Sequence, residues 1–194
     1  LPSSDPQSTS RHDLRRRLRR RRRALAIAAP QAGEAAARLL PPDALPPVRT
    51  FAAYLPAGGE IDPAPLSARL IALGAERLLP RVSEDGRLRF LEAPPEAPLA
   101  PDAAGVPAPH PDSPERRPDL VITPLVGFDR FGGRLGQGGG HYDRALEGLR
   151  RSGPVFVLGL AYAGQEVDRL ALEPHDQTLD AVLTEAGYRR LPQA

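Results

Sequence analysis

The chain has 194 residues, of which 41% are hydrophobic and 26% charged, a formal net charge of +2, and no Cys, Met or Trp. All 26 basic residues are arginines, because no lysine occurs. Disulfide frameworks, cysteine nucleophiles, thiolate metal sites, Schiff bases and the lysine of a Walker-type phosphate loop are therefore excluded, and the length suits one domain that buries a core and keeps a ligand cleft.

Residues 1–10 are polar with no signal-like apolar stretch and are expected to be a disordered N-terminal tail, leaving 11–194 as a single domain. No apolar run approaches the ~18 residues of a membrane span, so a cytoplasmic protein without a membrane partner is expected. Between Arg11 and Arg23 stand nine arginines against Asp13 alone, a charge of about +8 that leaves the remainder at about −6. Leu14, Leu18 and Leu25 recur at helical spacing, which predicts an amphipathic helix lying on the body by that stripe. Its arginines read as a solvated face, as an anion or polyphosphate site, or as a nucleic-acid or membrane surface. No aromatic residue is interleaved to stack bases.

A second helix is expected over Ala32 to Leu40, ended by prolines 41, 42, 46 and 47. Val48 to Leu55 reads as a strand, Gly58-Gly59-Glu60 as a loop, and Pro65 to Leu73 as a helix closed by Gly74. Arg77 to Val82 and Arg87 to Leu91 read as two strands about an Asp85-Gly86 turn. Pro94 to Pro118 is so proline-rich that neither helix nor sheet is expected, and such a long irregular loop points to a functional segment or a surface wrap. Leu120 to Thr123 has the pattern of a buried parallel strand, Tyr142 to Arg151 of a helix, Val155 to Leu160 of another buried strand, and Ala181 to Thr184 of a last short one. Alternating strands and helices predict an α/β fold of three layers, a mostly parallel sheet with helices on both faces.

The chemistry concentrates in Asp119 to Asp143, DLVITPLVGFDRFGGRLGQGGGHYD. This segment leaves a buried strand at its carboxyl end, where open α/β sheets bind ligands, and enters a helix. Glycines 132, 133, 136, 138, 139 and 140 would let backbone N–H groups cradle phosphate oxygens at that helix N-terminus. Arg134 supplies a bidentate fork for phosphate. Asp143, in the first helical turn, either caps the helix or holds a magnesium ion. The bland reading is a flexible loop. Glu60 follows a strand and so lies at the same end of the sheet, either as a site carboxylate or as an exposed loop residue. Asp176, in Pro174-His175-Asp176, is a second magnesium candidate or a turn cap, whereas His141 and His175 are too isolated to make a histidine metal site. No serine lies in a nucleophile-elbow pattern.

Taken together, several ordered blocks resemble the 5-formyltetrahydrofolate cyclo-ligase family, also called methenyltetrahydrofolate synthetases. They are the basic helix with Arg11 and Arg15, Tyr54-Leu55-Pro56 through Gly59-Glu60-Ile61-Asp62, Leu79-Pro80-Arg81, Gly105-Val106-Pro107, Phe128 to Asp143, Glu173 to Asp176, and Leu179-Asp180. The resemblance implies a NagB/RpiA-like fold and an ATP- and magnesium-dependent ligase that converts 5-formyltetrahydrofolate to 5,10-methenyltetrahydrofolate, ADP and phosphate through phosphorylation of the formyl oxygen. It further implies that Arg11, Arg15, Arg134, Leu135, Gly136, Gln137, Gly138, Gly139, Gly140, His141 and Tyr142 bind ATP. Leu55, Glu60 and Gln137 to His141 would bind the folate, Asp143 and Asp176 the Mg2+, with Arg134 and Asp143 acting in catalysis. Folate and ATP are the partners so implied, without nucleic acid, and a monomer is the default.

Four positions depart from the family pattern. Arg11 stands where lysine is usual, Gln137 and His141 where many relatives carry an aromatic or basic residue and a tyrosine, and Ala108 where Glu or Gln is commoner. Because the glycine cradle, Arg134, Glu60 and both aspartates remain, an active enzyme is expected. The alternatives are a non-catalytic folate- or nucleotide-binding relative and a nucleic-acid module driven by Arg16, Arg17, Arg20 and Arg21.

Overall fold

The computed structural model describes residues 10–192. Residues 1–9 of the tail expected over 1–10 lie outside the described residues, while Ser10 caps the first helix: its Oγ accepts the Asp13 N–H at 3.2 Å. In chain order the elements are α1 (Arg11–Ala28), α2 (Ala32–Leu39), β1 (Thr50–Ala52), α3 (Ala64–Ala72), β2 (Glu76–Val82), β3 (Leu88–Glu92), β4 (Leu99–Pro101) and β5 (Pro107–Pro109). There follow β6 (Leu120–Thr123), β7 (Gly127–Phe128), β8 (Arg134–Leu135), α4 (His141–Ser152), β9 (Phe156–Leu160), a 3-10 turn (Ala163–Gln165), β10 (Ala181–Thr184) and β11 (Gly187–Arg190).

A seven-stranded sheet in the order β11-β10-β9-β6-β1-β2-β3 forms the centre. Its five inner strands are parallel, and antiparallel β11 and β3 close the two edges. Side chains alternate across the sheet as a period of two requires. Phe51, Leu120, Ile122, Leu158 and Leu183 pack beneath Ala36 and Leu40 near α2 and Leu66 and Leu70 of α3. Ala52, Val121, Val157 and Val182 face the other way, toward Leu146 of α4. The three-layer α/β architecture is thus the expected one, and no helix among the described residues is long and apolar enough to cross a membrane.

Some details depart from the sequence reading. The proline-rich stretch does contain sheet, since β4 and β5 pair antiparallel with Ala100 opposite Ala108. The Asp102 N–H bonds the Val106 carbonyl at 2.8 Å, so by alternation Ala100 and Ala108 are also a hydrogen-bonding pair. Pro101, Pro107 and Pro109 then fall at positions whose missing N–H would have pointed outward. Two short strands within the glycine-rich segment, β7 and β8, form a separate hairpin, and β10 is followed by β11 rather than being last. Only Thr50–Ala52 of the expected Val48 to Leu55 strand is in the sheet.

Candidate active site

Strands β1 and β6 are neighbours in the sheet, yet the chain proceeds from β1 to β2 on one side and from β6 to β9 on the other. The carboxyl ends of this pair therefore form a crevice at the topological switch point, and a cavity of about 520 Å³ opens there. Helix α1 lies across this end because Leu18 is buried against Val126, Leu135 and Leu170. Gly127 permits the approach: a β-carbon on it would sit 2.7 Å from Leu18 Cδ1.

From β1 the chain turns through Gly58 and Gly59, with φ of +57° and +81°. A β-carbon at Gly59 would lie 3.2 Å from Arg23 Cα, so the loop presses directly on α1. That contact brings Glu60 to Arg22. The Arg22 side chain is 2% exposed, and its Nη1 donates to Glu60 Oε1 at 3.1 Å and to the Leu125 carbonyl at 3.0 Å. Its Nη2 donates to the carbonyls of Gly58 (3.1 Å) and Ala57 (3.4 Å). Glu60 Oε2 accepts the Ala57 N–H at 3.1 Å, and Gln137 Nε2 donates to Oε1 at 3.3 Å.

On the other side, the buried Asp129 carboxylate accepts N–H groups from Phe131, Gly133 and Leu170 at 2.8–2.9 Å, fixing the β7–β8 hairpin. The glycine loop leaves β8 and is held from above by α1: Arg15 Nε donates to the Gly136 carbonyl at 3.2 Å and Arg19 Nη2 to that of Gln137 at 2.7 Å. Gly138, at φ +108°, lies against the Arg15 guanidinium. Gly140 is the N-cap of α4 and has no side chain to bond the first-turn N–H groups, which leaves them available to an anion.

Two arginine–aspartate pairs complete the site. Arg134, 2% exposed, bonds Asp143 Oδ1, which also accepts the Gln177 N–H at 3.1 Å. Arg11 bonds both oxygens of Asp176, at 2.7 and 3.3 Å, and Asp176 also accepts the Glu173 N–H at 2.8 Å. Burial works against ionising Asp176, but the Arg11 hydrogen bond and charge and the Glu173 N–H outweigh it and hold the carboxyl below its usual range. Burial also lowers the Arg134 pKa, partly offset by Asp143. It raises that of the Tyr142 phenol, with the Glu60 charge adding to the effect, so Tyr142 stays a neutral donor. The Nε atoms of Arg11, Arg22 and Arg134 are buried with no hydrogen-bond partner among the described residues, so each of these guanidiniums is held through its terminal nitrogens alone.

Arg11, Arg15, Leu55, Glu60, Arg134, Gly136 to Asp143 and Asp176 all line the one cavity. Leu135 does not, because alternation on β8 turns it into the core beside Leu18. His175 stands beside Glu173 at 3.2 Å, and its nitrogen, Glu173 and Asp176 offer ligand atoms within 4.8 Å of one another. Apolar wall comes from Leu79, Val82, Leu88 and the β4–β5 hairpin, through Ala104, Val106 and Pro107. Arg81 straps that hairpin by donating to the carbonyls of Pro109 (2.8 Å) and Pro101 (3.3 Å). Ala108 is fully buried on β5 rather than facing the cavity. Sequence reasoning missed Arg22. The signal was present, since 14, 18, 22 and 25 form one helical stripe and Arg22 occupies its centre.

This is an α/β protein whose switch-point cleft combines backbone N–H groups, arginines and carboxylates, a construction suited to anionic ligands. A family model described as the 5-formyltetrahydrofolate cyclo-ligase family matches residues 7–185. The chain belongs to that family, and it is a ligase. It is 37% identical over 180 residues to the 5-formyltetrahydrofolate cyclo-ligase of Escherichia coli K12, covering 86% of this chain and 96% of that one. The Mycolicibacterium smegmatis enzyme of the same name is 31% identical over 144 residues, with 70% and 73% covered. Among solved structures, the 5,10-methenyltetrahydrofolate synthetase of Aquifex aeolicus superposes with a TM-score of 0.77 at 26% identity, over 95% of this chain and 94% of that one. The Mycoplasma pneumoniae synthetase gives 0.69 at 26% identity, over 91% and 99%.

Proposed function

We propose that this ligase converts 5-formyltetrahydrofolate and ATP to 5,10-methenyltetrahydrofolate, ADP and phosphate in the cleft between α1 and the glycine loop. The observation that carries the reading is the convergence of Glu60 with Arg11, Arg15, Arg134, Asp143 and Asp176 on one cavity. A formamide oxygen is a poor leaving group. It becomes a good one when it forms a bond to the γ-phosphorus of ATP and the bond to the ADP oxygen breaks. The neighbouring folate nitrogen then attacks the formyl carbon and loses its proton, and the carbon–oxygen bond breaks to release phosphate. Such a transfer asks the protein mainly to position groups and neutralise charge, which suits a chain without lysine or cysteine.

In this reading the first-turn N–H groups of α4, the glycine loop, Arg11, Arg15 and Arg134 receive the phosphates. Glu60 accepts the paired N–H groups of the pterin edge, with Leu55 beside it. Asp143 and Asp176 suit a hard cation in being carboxylates that line the same cavity, with the Gln177 N–H bond to Asp143 Oδ1 placing the residue next to Asp176 against Asp143. Mg2+ held by them would supply charge neutralisation at the phosphate oxygens. With nucleotide bound, the guanidiniums of Arg134 and Arg11 then have phosphate oxygens as alternative partners to these two carboxylates.

The protein is read as a monomer acting in the cytoplasm, which light scattering and cell fractionation test. The activity test is the absorbance of the methenyl product on mixing protein, 5-formyltetrahydrofolate and MgATP, with ATP and Mg2+ each omitted in turn. Growth of the signal requiring both supports the reading. Binding of both ligands without ADP formation would instead identify a non-catalytic relative.

A further inference from the structure

Glu60 is the carboxylate to which the proposed function assigns folate recognition, and the role inferred for its partner Arg22 rests on that assignment. A carboxylate discriminates between ligands only if its oxygens are held in place. Here three donors reach it: Arg22 Nη1 and Gln137 Nε2 on Oε1, and the Ala57 N–H on Oε2. The three differ in freedom. Gln137 lies on the glycine loop and is exposed; its amide oxygen accepts from Arg19 Nε at 2.8 Å, and its Nε2 reaches Glu60 only at 3.3 Å, so an incoming N–H group can displace it from Oε1. Arg22 cannot be displaced. Its guanidinium is buried and also ties the carbonyls of Leu125, Ala57 and Gly58, three backbone points on the two loops that leave β1 and β6.

We propose that Arg22 is a positioning residue for the folate: it fixes the Glu60 carboxylate in place, and so sets specificity for a donor–donor pterin edge without touching the substrate. This explains why an arginine occupies the centre of the apolar stripe of α1, where a leucine would otherwise pack beside Leu18. A single hydrogen bond between the side chains would be replaceable. A guanidinium that bonds the carboxylate and both flanking loops is not, because a lysine ammonium carries one nitrogen and cannot span those acceptors.

The experiment compares the wild type, Glu60→Gln, Arg22→Met, Arg22→Lys and the double variant Arg22→Met with Glu60→Gln, measuring KM and kcat for 5-formyltetrahydrofolate and for ATP. Arg22→Met is expected to raise the folate KM roughly ten- to hundredfold, with the ATP KM within about twofold. Arg22→Lys is expected to recover part of that loss. In the Glu60→Gln background, Arg22→Met should add less than about twofold, since it acts through a carboxylate already removed. Equal losses for both substrates, or a full additional loss in the double variant, would overturn the proposal. Should Arg22→Met fail to fold by circular dichroism, Arg22→Lys with and without Glu60→Gln provides the same comparison, and a loss that adds in full to that of Glu60→Gln would again overturn the proposal. If Glu60→Gln alone leaves the folate KM unchanged, the assignment of Glu60 fails instead, whatever Arg22 does.

Discussion

Replacing Asp143 by asparagine separates its structural work from its chemical work. The Arg134 side chain is 2% exposed and Asp143 20%, and Asp143 Oδ1 is shared by Arg134 and the Gln177 N–H. Asparagine retains an acceptor for both donors but loses the charge, exchanging a charge-assisted hydrogen bond for a neutral one, at about 1–2 kcal/mol. For a chain of this size that lowers the unfolding midpoint by about 2–8 °C. Asp143→Ala removes the acceptor as well and strands a buried guanidinium, at about 3–5 kcal/mol. Activity should respond differently. Both variants remove the carboxylate proposed to hold Mg2+ against the phosphates, so both should lose about a hundredfold or more in kcat at saturating ATP and require more Mg2+ for half-maximal rate. Thermal unfolding without nucleotide, run beside a Mg2+ titration of turnover, measures the two effects separately. Wild-type magnesium dependence in Asp143→Asn would refute the metal assignment, and equal midpoints for the asparagine and alanine variants would refute the structural one.

The acid limb of stability provides a second test. Asp102, Asp119 and Asp176 are each partly buried, which opposes ionisation, yet backbone N–H donors and nearby arginines hold all three below the usual value of 3.8. Since the folded values are depressed, their contribution is fully present above that value and is lost as pH falls through the lower folded values. Urea midpoints should therefore drop below about pH 4, and Asp119→Asn should lower stability at pH 7 while flattening that drop; an unchanged limb would contradict the account. Leu18→Ala, deleting the buried contact of α1 with Val126, Leu135 and Leu170, should cost about 2–5 kcal/mol and weaken both substrates together, as read by calorimetry and KM. Gly59→Ala must take φ +81° and meet Arg23 Cα at 3.2 Å. It should cost about 1–2 kcal/mol from the backbone alone and raise the folate KM more than the ATP KM, whereas a neutral effect on both would count against the loop's role.

What the sequence determined by itself was whatever a local pattern can encode. Leu120 to Thr123 and Ala181 to Thr184 are continuous apolar runs, and they are the buried strands β6 and β10. A glycine-dense segment between a buried strand and a helix located the cleft, and Glu60 was legible because it follows a strand at the same end of the sheet. The order of motifs also sufficed to indicate the family. Tertiary structure alone decided the pairings. Arg11 meets Asp176 across 165 positions and Arg22 meets Glu60 across 38, and no periodicity specifies which of nine neighbouring arginines finds which acid. The β4–β5 hairpin was hidden for a related reason: proline content argues against a strand, and only the register shows that the absent N–H groups face outward. Leu135 turned inward because alternation on β8 assigns it to the core while Arg134 takes the cleft side. Sequence reports the propensity of each segment, whereas partners, register and facing depend on contacts between segments that only the folded chain brings together.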